Sequence, residues 1–267
     1  RLTNLSTRGL SGTGQDNMVP GFVVSADSLP AMIRAIGPTL GAFGVENPMA
    51  DPRISLTPPP VSGADANNNW QDSDGVTPAD FVRVGAFSLP DGSQDAAMLS
   101  TLGQGASTAV IGTTDSVARV VLTELYEDDS GGSARLTNLS TRARVGTGSD
   151  VLIGGFVLAG ASPRRCLIRA VGETLGDFGV DDALTDPRIS ILPAGGSEAV
   201  AENDDWSENP SRLAISLEGG RAGAFALPEG SRDSAVIVTL SPGAYTAVVS
   251  GVADATGIAL VEIYVLE

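Results

Sequence analysis

The side chains that carry acid, base and nucleophilic chemistry are unevenly represented in this chain. It has 32 aspartates and glutamates, one cysteine and no histidine, and every one of its 16 basic residues is arginine because it has no lysine. An acyl-transfer triad needs a base titrating near neutrality, most often histidine, and that base is missing. Cys166 therefore has no imidazole partner and reads as a small, inert core residue. Glycoside hydrolysis asks only for two carboxylates about 5 to 10 Å apart. Here the acids cluster in turns, and aromatic residues, which usually line a sugar cleft, make up only 4% of the chain. The expectation is a protein without catalysis.

Hard cations are a better match to the acidic loops. Asn203, Asp204 and Asp205, and Asp72 with Asp74, offer the carboxylate and amide oxygens that calcium prefers. The competing reading is an Asx-turn, in which those side chains cap their own backbone. Trp70 and Trp206 adjoin these loops. They read as plugs closing one end of the fold, with a sugar-stacking platform as the other option. Arg34 and Arg169 each lie inside an apolar strand, where an inward guanidinium needs a carboxylate. Glu124 and Glu262, embedded in equally apolar strands, are the expected partners. The alternative is that both arginines face solvent.

Internal repetition orders these residues. Arg1-Leu2-Thr3-Asn4-Leu5-Ser6-Thr7-Arg8 recurs letter for letter as Arg135-Leu136-Thr137-Asn138-Leu139-Ser140-Thr141-Arg142. The correspondence continues through Ile33-Arg34-Ala35 with Ile168-Arg169-Ala170, Trp70 with Trp206, Gly85-Ala86-Phe87 with Gly223-Ala224-Phe225, and Glu124-Leu125-Tyr126 with Glu262-Ile263-Tyr264. Cys166 answers to Ala31, which again argues against a nucleophile. The expected organisation is a first domain at 1–126, a polar linker at 127–134 and a second domain at 135–267.

Short apolar runs separated by glycine, proline, asparagine and aspartate predict strands. In the first copy they fall at 1–6, 19–25, 31–37, 53–57, 81–88, 96–102, 106–112 and 118–126, with one helical turn between Thr39 and Val45. No stretch keeps a 3.6-residue apolar period. The expected class is all-β, two tandem jelly-roll-like β-sandwiches, because stacking two sheets buries one face of each short strand.

A net charge of −16 argues against nucleic acid and anionic membrane surfaces, both of which need clustered cations. One cysteine forms no intrachain disulfide. No run approaches the roughly 18 apolar residues of a membrane helix. The chain opens at Arg1 without methionine, as after removal of a signal peptide.

The Arg-Leu-x-Asn-Leu-Ser-Thr-Arg string, Gly-Gly-Phe-Val, Ile-Arg-Ala-x-Gly-x-Thr-Leu, Asn203-Asp204-Asp205-Trp206 and Val261-Glu262-Ile263-Tyr264 together resemble a repeat module of large secreted bacterial surface proteins. The second half of a copy is also loosely similar to the β-sandwich of bacterial prepeptidase C-terminal domains. The first copy departs from the pattern at Asn67-Asn68-Asn69-Trp70, which lacks the aspartate pair. The resemblance implies export, a jelly-roll-like sandwich and a role as an appendage or assembly part, with no active site. On that basis the expected function is a non-catalytic subunit of an extracellular filament, self-associating head to tail through terminal strands at Leu2, Leu5, Val265 and Leu266. The alternative is a monomeric adhesion or carbohydrate-binding module whose partner is a glycan. No cofactor is expected in either case, apart from calcium.

Overall fold

The computed structural model describes residues 1–72, 75–113, 117–128 and 132–266. The first half of the chain forms β1 (Leu2–Ser11), β2 (Val19–Val24), β3 (Leu29–Ile36), β4 (Arg53–Thr57), β5 (Ser62–Gly63), β6 (Ala66–Asn67), α1 (Pro78–Val84), β7 (Ala96–Leu102), β8 (Gly105–Gly112) and β9 (Arg119–Glu127). The second half forms β10 (Leu136–Val145), β11 (Leu152–Leu158), β12 (Arg164–Val171), β13 (Pro187–Pro193), β14 (Ala201–Asn203), α2 (Arg212–Arg221), β15 (Ser234–Leu240), β16 (Gly243–Gly251) and β17 (Gly257–Val265). The protein is all-β, a large curled and mainly antiparallel sheet.

Two ladders run through the molecule, and each takes strands from both halves. One passes β7–β3–β9–β1–β11–β16–β13–β14. The other passes β15–β12–β17–β10–β2–β8–β4–β6. Strand alternation explains the central core. In β3, Ala31, Ile33 and Ala35 enter it, as Cys166, Ile168 and Ala170 do in β12.

The seam between the halves is reciprocal. Leu5 of β1 lies opposite Phe156 of β11, while Leu136 of β10 lies opposite Val24 of β2. Ala159 N–H donates to the Arg1 carbonyl at 2.8 Å, and its counterpart Ser25 N–H donates to the Arg135 carbonyl at 2.9 Å. Thr7 and Thr141, equivalent in the repeat, share a buried hydrogen bond of 2.9 Å between their hydroxyls. Gly21 and Gly155 let the strands approach so closely that a Cβ would stand 2.7 Å from Ser140 Oγ and 2.5 Å from Ser6 Oγ. Leu2, Leu5, Phe22, Leu136, Leu139 and Phe156 are buried in the common core.

Where a strand is expected over 81–88, the chain folds instead into α1. The β-branched Val82 and Val84 favour a strand, but Thr77-Pro78-Ala79-Asp80 is a helix start. Thr77 N–H and Oγ1–H both donate to Asp80 Oδ2, at 2.8 and 2.6 Å, and Pro78 occupies the first turn. Gly85, left-handed at φ 76°, ends the helix. The corresponding α2 is likewise absent from the sequence reading, because its short apolar pattern shows no sustained period. The turn expected between Thr39 and Val45 is a 3₁₀ helix over Pro38–Phe43.

Gly37 and Gly172 lead into the equivalent 3₁₀ segments. A Cβ there would fall 2.0 Å from the Met49 carbonyl oxygen and 2.1 Å from that of Leu184. Because the obstacle is backbone, Gly37→Ala or Gly172→Ala is expected to cost about 3 kcal/mol, at the upper end for overpacking. Urea unfolding of each variant would measure it.

Candidate functional site

The outer faces of β3 and β9 would meet solvent in a bare sheet, but here each is roofed. Met32 and Ile36 of β3, with Val120 of β9, pack against Leu40, Trp70, Phe81, Ala86 and Leu89 in a second, smaller core. Arg34 points into this roofed space and is fully buried. Strand register sets it opposite Glu124. Its Nε and Nη2 donate to Glu124 Oε2 at 2.9 and 2.5 Å, and Nη1 donates to the Phe87 carbonyl at 2.5 Å. The guanidinium also lies over the rings of Phe87, at 4.4 Å, and Phe81, at 5.2 Å. Tyr126 O–H completes the carboxylate by donating to Glu124 Oε1 at 2.7 Å.

The second half repeats the arrangement. Arg169 Nε and Nη2 donate to Glu262 Oε2 at 2.7 and 2.5 Å, Nη1 donates to the Phe225 carbonyl at 2.7 Å, and Tyr264 O–H donates to Glu262 Oε1 at 2.7 Å. Both arginines are thus on the outward face and buried at once, which neither simple alternation nor solvent exposure describes. The roof supplied by the helices decides it.

Burial, and next the Glu124 charge, push the Tyr126 phenol well above its ordinary 10.0, and burial with Glu262 does the same for Tyr264. The fold therefore favours the neutral phenols. That contribution is complete below pH 10 and is lost as pH rises through the folded-state values. A titration at 295 nm is expected to show the phenolates of Tyr126 and Tyr264 appearing only as the near-ultraviolet circular dichroism collapses.

A second polar anchor escapes the sequence reading. Asp95 is fully buried and accepts from the N–H groups of Gly37, at 2.8 Å, and Thr39, at 3.4 Å, and from the Thr39 hydroxyl. Asp233 does the same for Gly172 and Thr174, at 2.8 and 3.4 Å, and takes the Ser231 hydroxyl at 2.8 Å. The recurring Gly-Ser-x-Asp before β7 and β15 was the available signal.

The acidic loops are braced by their own side chains. Asn203 Nδ2 donates to the Asp205 carbonyl at 3.1 Å, and its Oδ1 accepts from Ala235 N–H at 2.9 Å. Asn67 makes the same pair of bonds, to the Asn69 carbonyl and from Ala97 N–H, both at 2.9 Å. Asp72 Oδ2 accepts from Asn69 Nδ2 at 2.9 Å. Asp204 is exposed and Asp205 half-buried, while Asp74 lies outside the described residues. Among the described residues no three histidine, cysteine or acidic side chains converge to hold a metal ion.

Trp70 and Trp206 are 2% and 7% exposed and donate from Nε1 to the carbonyls of Pro90 and Pro228, both at 3.2 Å. They are roof residues, away from any surface platform. Cys166 is buried, and burial pushes its thiol up to about 11.

Of the residues expected at an assembly interface, Leu2 and Leu5 are buried in the seam and Leu266 is buried against Trp206 and Tyr264. Val265 is half-buried opposite Cys166. The strands that carry them are occupied along both edges, β1 by β9 and β11, and β17 by β10 and β12. Among the described residues each terminal strand thus has a partner strand on both sides.

No protein-family model matches the sequence and no curated protein is significantly similar to it, so the resemblance to secreted repeat modules stands on the quoted residues alone.

Proposed function

We propose that this chain is a non-catalytic structural subunit of an extracellular filament or surface assembly. It is built from two jelly-roll-like repeats joined through their inner strands and associates head to tail through its outer sheet edges. The strand orders β7–β3–β9–β1 and β6–β4–β8–β2 support the jelly-roll reading, since they are four-on-four and recur as β15–β12–β17–β10 and β14–β13–β16–β11. The interior carboxylates Glu124, Glu262, Asp95 and Asp233 are all engaged in holding the fold.

One observation carries the assembly reading. In the first half the outer edge of β7 is covered: Ala64 and Val61 N–H donate to the Leu99 and Thr101 carbonyls at 3.3 and 2.8 Å, with β5 between them. The equivalent edge of β15, at Ile237 and Thr239, has no strand on it among the described residues. The second-half loop turns back along β16 instead, with Ala194 N–H donating to the Ala244 carbonyl at 2.9 Å. A bare edge satisfies its backbone groups by accepting an extended segment. At a head-to-tail joint the neighbour's first half supplies it.

Negative-stain microscopy of concentrated protein is expected to show linear assemblies, and Thr239→Pro, which removes an outward N–H, to abolish them while leaving the monomer folded. Unmodified protein that scatters light only as monomers at high concentration refutes the reading. A sugar-binding module is the weaker alternative, because both tryptophans are buried.

A further inference from the structure

The roofs of the two halves differ at one position. Four residues before the left-handed glycine that follows each helix, Gly85 or Gly223, the first half has Phe81 and the second has Gly219. Phe81 is fully buried, meets Trp70 edge-on at 5.4 Å and lies under Arg34. Its ring makes the first roof one continuous apolar cluster.

In the second roof, with glycine in that place, the buried apolar residues fall into two groups that meet through the partly buried Leu227. Leu167, Trp206, Ile215 and Tyr264 form one cluster, and Val171, Leu175, Val180 and Ile258 the other. A cavity of about 70 Å³ lies beside the first, lined by Arg169, Trp206, Ile215, Gly219, Phe225 and Leu227. It opens past the exposed Ser216, Gly220 and Ala226. Gly219 is not held by crowding, since a Cβ there would make ordinary contacts of 3.6 Å with Leu167 and 3.9 Å with Ala224.

We propose that this cavity is a binding site for a single phenyl-class ring, supplied either by a free aromatic molecule or by an aromatic side chain of a partner. The inference is independent of the assembly reading. The sister half points to the occupant, because Arg34, Trp70, Phe87 and Leu89, the counterparts of Arg169, Trp206, Phe225 and Leu227, surround one phenyl ring there, whereas Ile215 is an added wall whose counterpart Thr77 is exposed. At about 70 Å³ the space is far below the roughly 300 Å³ of a drug-sized site and takes part of one ring, the rest lying in the open mouth beside Ser216, Gly220 and Ala226.

The walls select an aromatic over an aliphatic group. Arg169 has Phe225 over its guanidinium at 4.6 Å and lacks the second ring that Phe81 gives Arg34. An incoming ring would restore that cation–π contact and the edge-on contact with the tryptophan.

Benzene, p-cresol, N-acetyl-phenylalanine amide and cyclohexane, each titrated into the intact protein, test this. The expected result is a raised Tm with benzene and p-cresol, at least threefold weaker binding of cyclohexane, and a shift of the Trp206 indole N–H resonance with that of Trp70 unmoved. Binding of the phenylalanine derivative identifies the side-chain source, and binding of the free aromatics alone identifies the small-molecule source. Gly219→Phe should fill the site and remove binding, and Phe81→Gly should open a second one that moves the Trp70 resonance. If no aromatic probe perturbs Trp206 in the unmodified protein at saturation, or if cyclohexane binds as well as benzene, the proposal is wrong.

Discussion

Arg34→Met is expected to destabilise the protein by about 3–5 kcal/mol, because it strands Glu124 in the roofed core with only the Tyr126 hydrogen bond. Arg169→Met should cost somewhat less, since Arg34 loses ring contacts with Phe81, Phe87 and Tyr126 while Arg169 loses only Phe225. The pair itself is a different matter. Desolvating two charges consumes most of what their attraction returns, so the double replacement Arg34→Met with Glu124→Leu is expected to lie within about 1–2 kcal/mol of the parent. Urea unfolding of the two single variants and the double closes the cycle. If Arg34→Met alone costs under 1 kcal/mol, the guanidinium is not sealed from water as the roof implies.

A chain cut between Glu127 and Ala134 is expected to remain one particle. Two antiparallel pairings cross the seam, β1 with β11 and β10 with β2. Leu5, Phe22, Leu139 and Phe156 are buried where they meet, at roughly 1.5–3 kcal/mol each when fully covered. Even after the entropy of association is charged, the halves should stay together at micromolar concentration, which corresponds to about 8 kcal/mol. Size-exclusion chromatography of the nicked protein should give the intact elution volume in native buffer, with separation only in denaturant. Halves that part in native buffer would show the covalent connection, and not the seam, to be the joint.

This reciprocal seam also alters how assembly is to be pictured. Terminal strands are natural candidates for exchange between chains, because they are often the least restrained. Here both are interior strands of their ladders, β1 at the seam between β9 and β11 and β17 between β12 and β10. The ladders end at β7 and β14 and at β15 and β6, and of the equivalent edges β7 carries β5 whereas β15 carries no strand among the described residues. The two ends of the particle therefore differ although the sequence is duplicated, and that difference is a requirement of head-to-tail association.

How much was legible beforehand depended on whether the signal was local. Duplication, the all-β class and the lack of histidine and lysine are properties of composition and order, and they needed no coordinates. The candidacy of Arg34, Glu124, Arg169 and Glu262 was also visible, because a charge inside an apolar strand is costly wherever the strand goes. Burial without an inward orientation was not visible, since it depends on α1, α2 and the tryptophan loops folding over β3 and β12 from far along the chain. Asp95 and Asp233 were missed for the same reason: each looked like one more turn acid until Gly37 or Gly172 was brought to it from the other end of the half.

The sequence by itself determined the alphabet of this protein, its repeat and its strand-forming pattern, because those follow from residue type and spacing along one dimension. Only the tertiary structure decided which edges are spent between the halves, which charged pairs are sealed, and that one glycine in place of a phenylalanine opens a cavity beside Arg169. Each of those outcomes is set by what packs across from a residue, and that neighbour is generally distant in the chain.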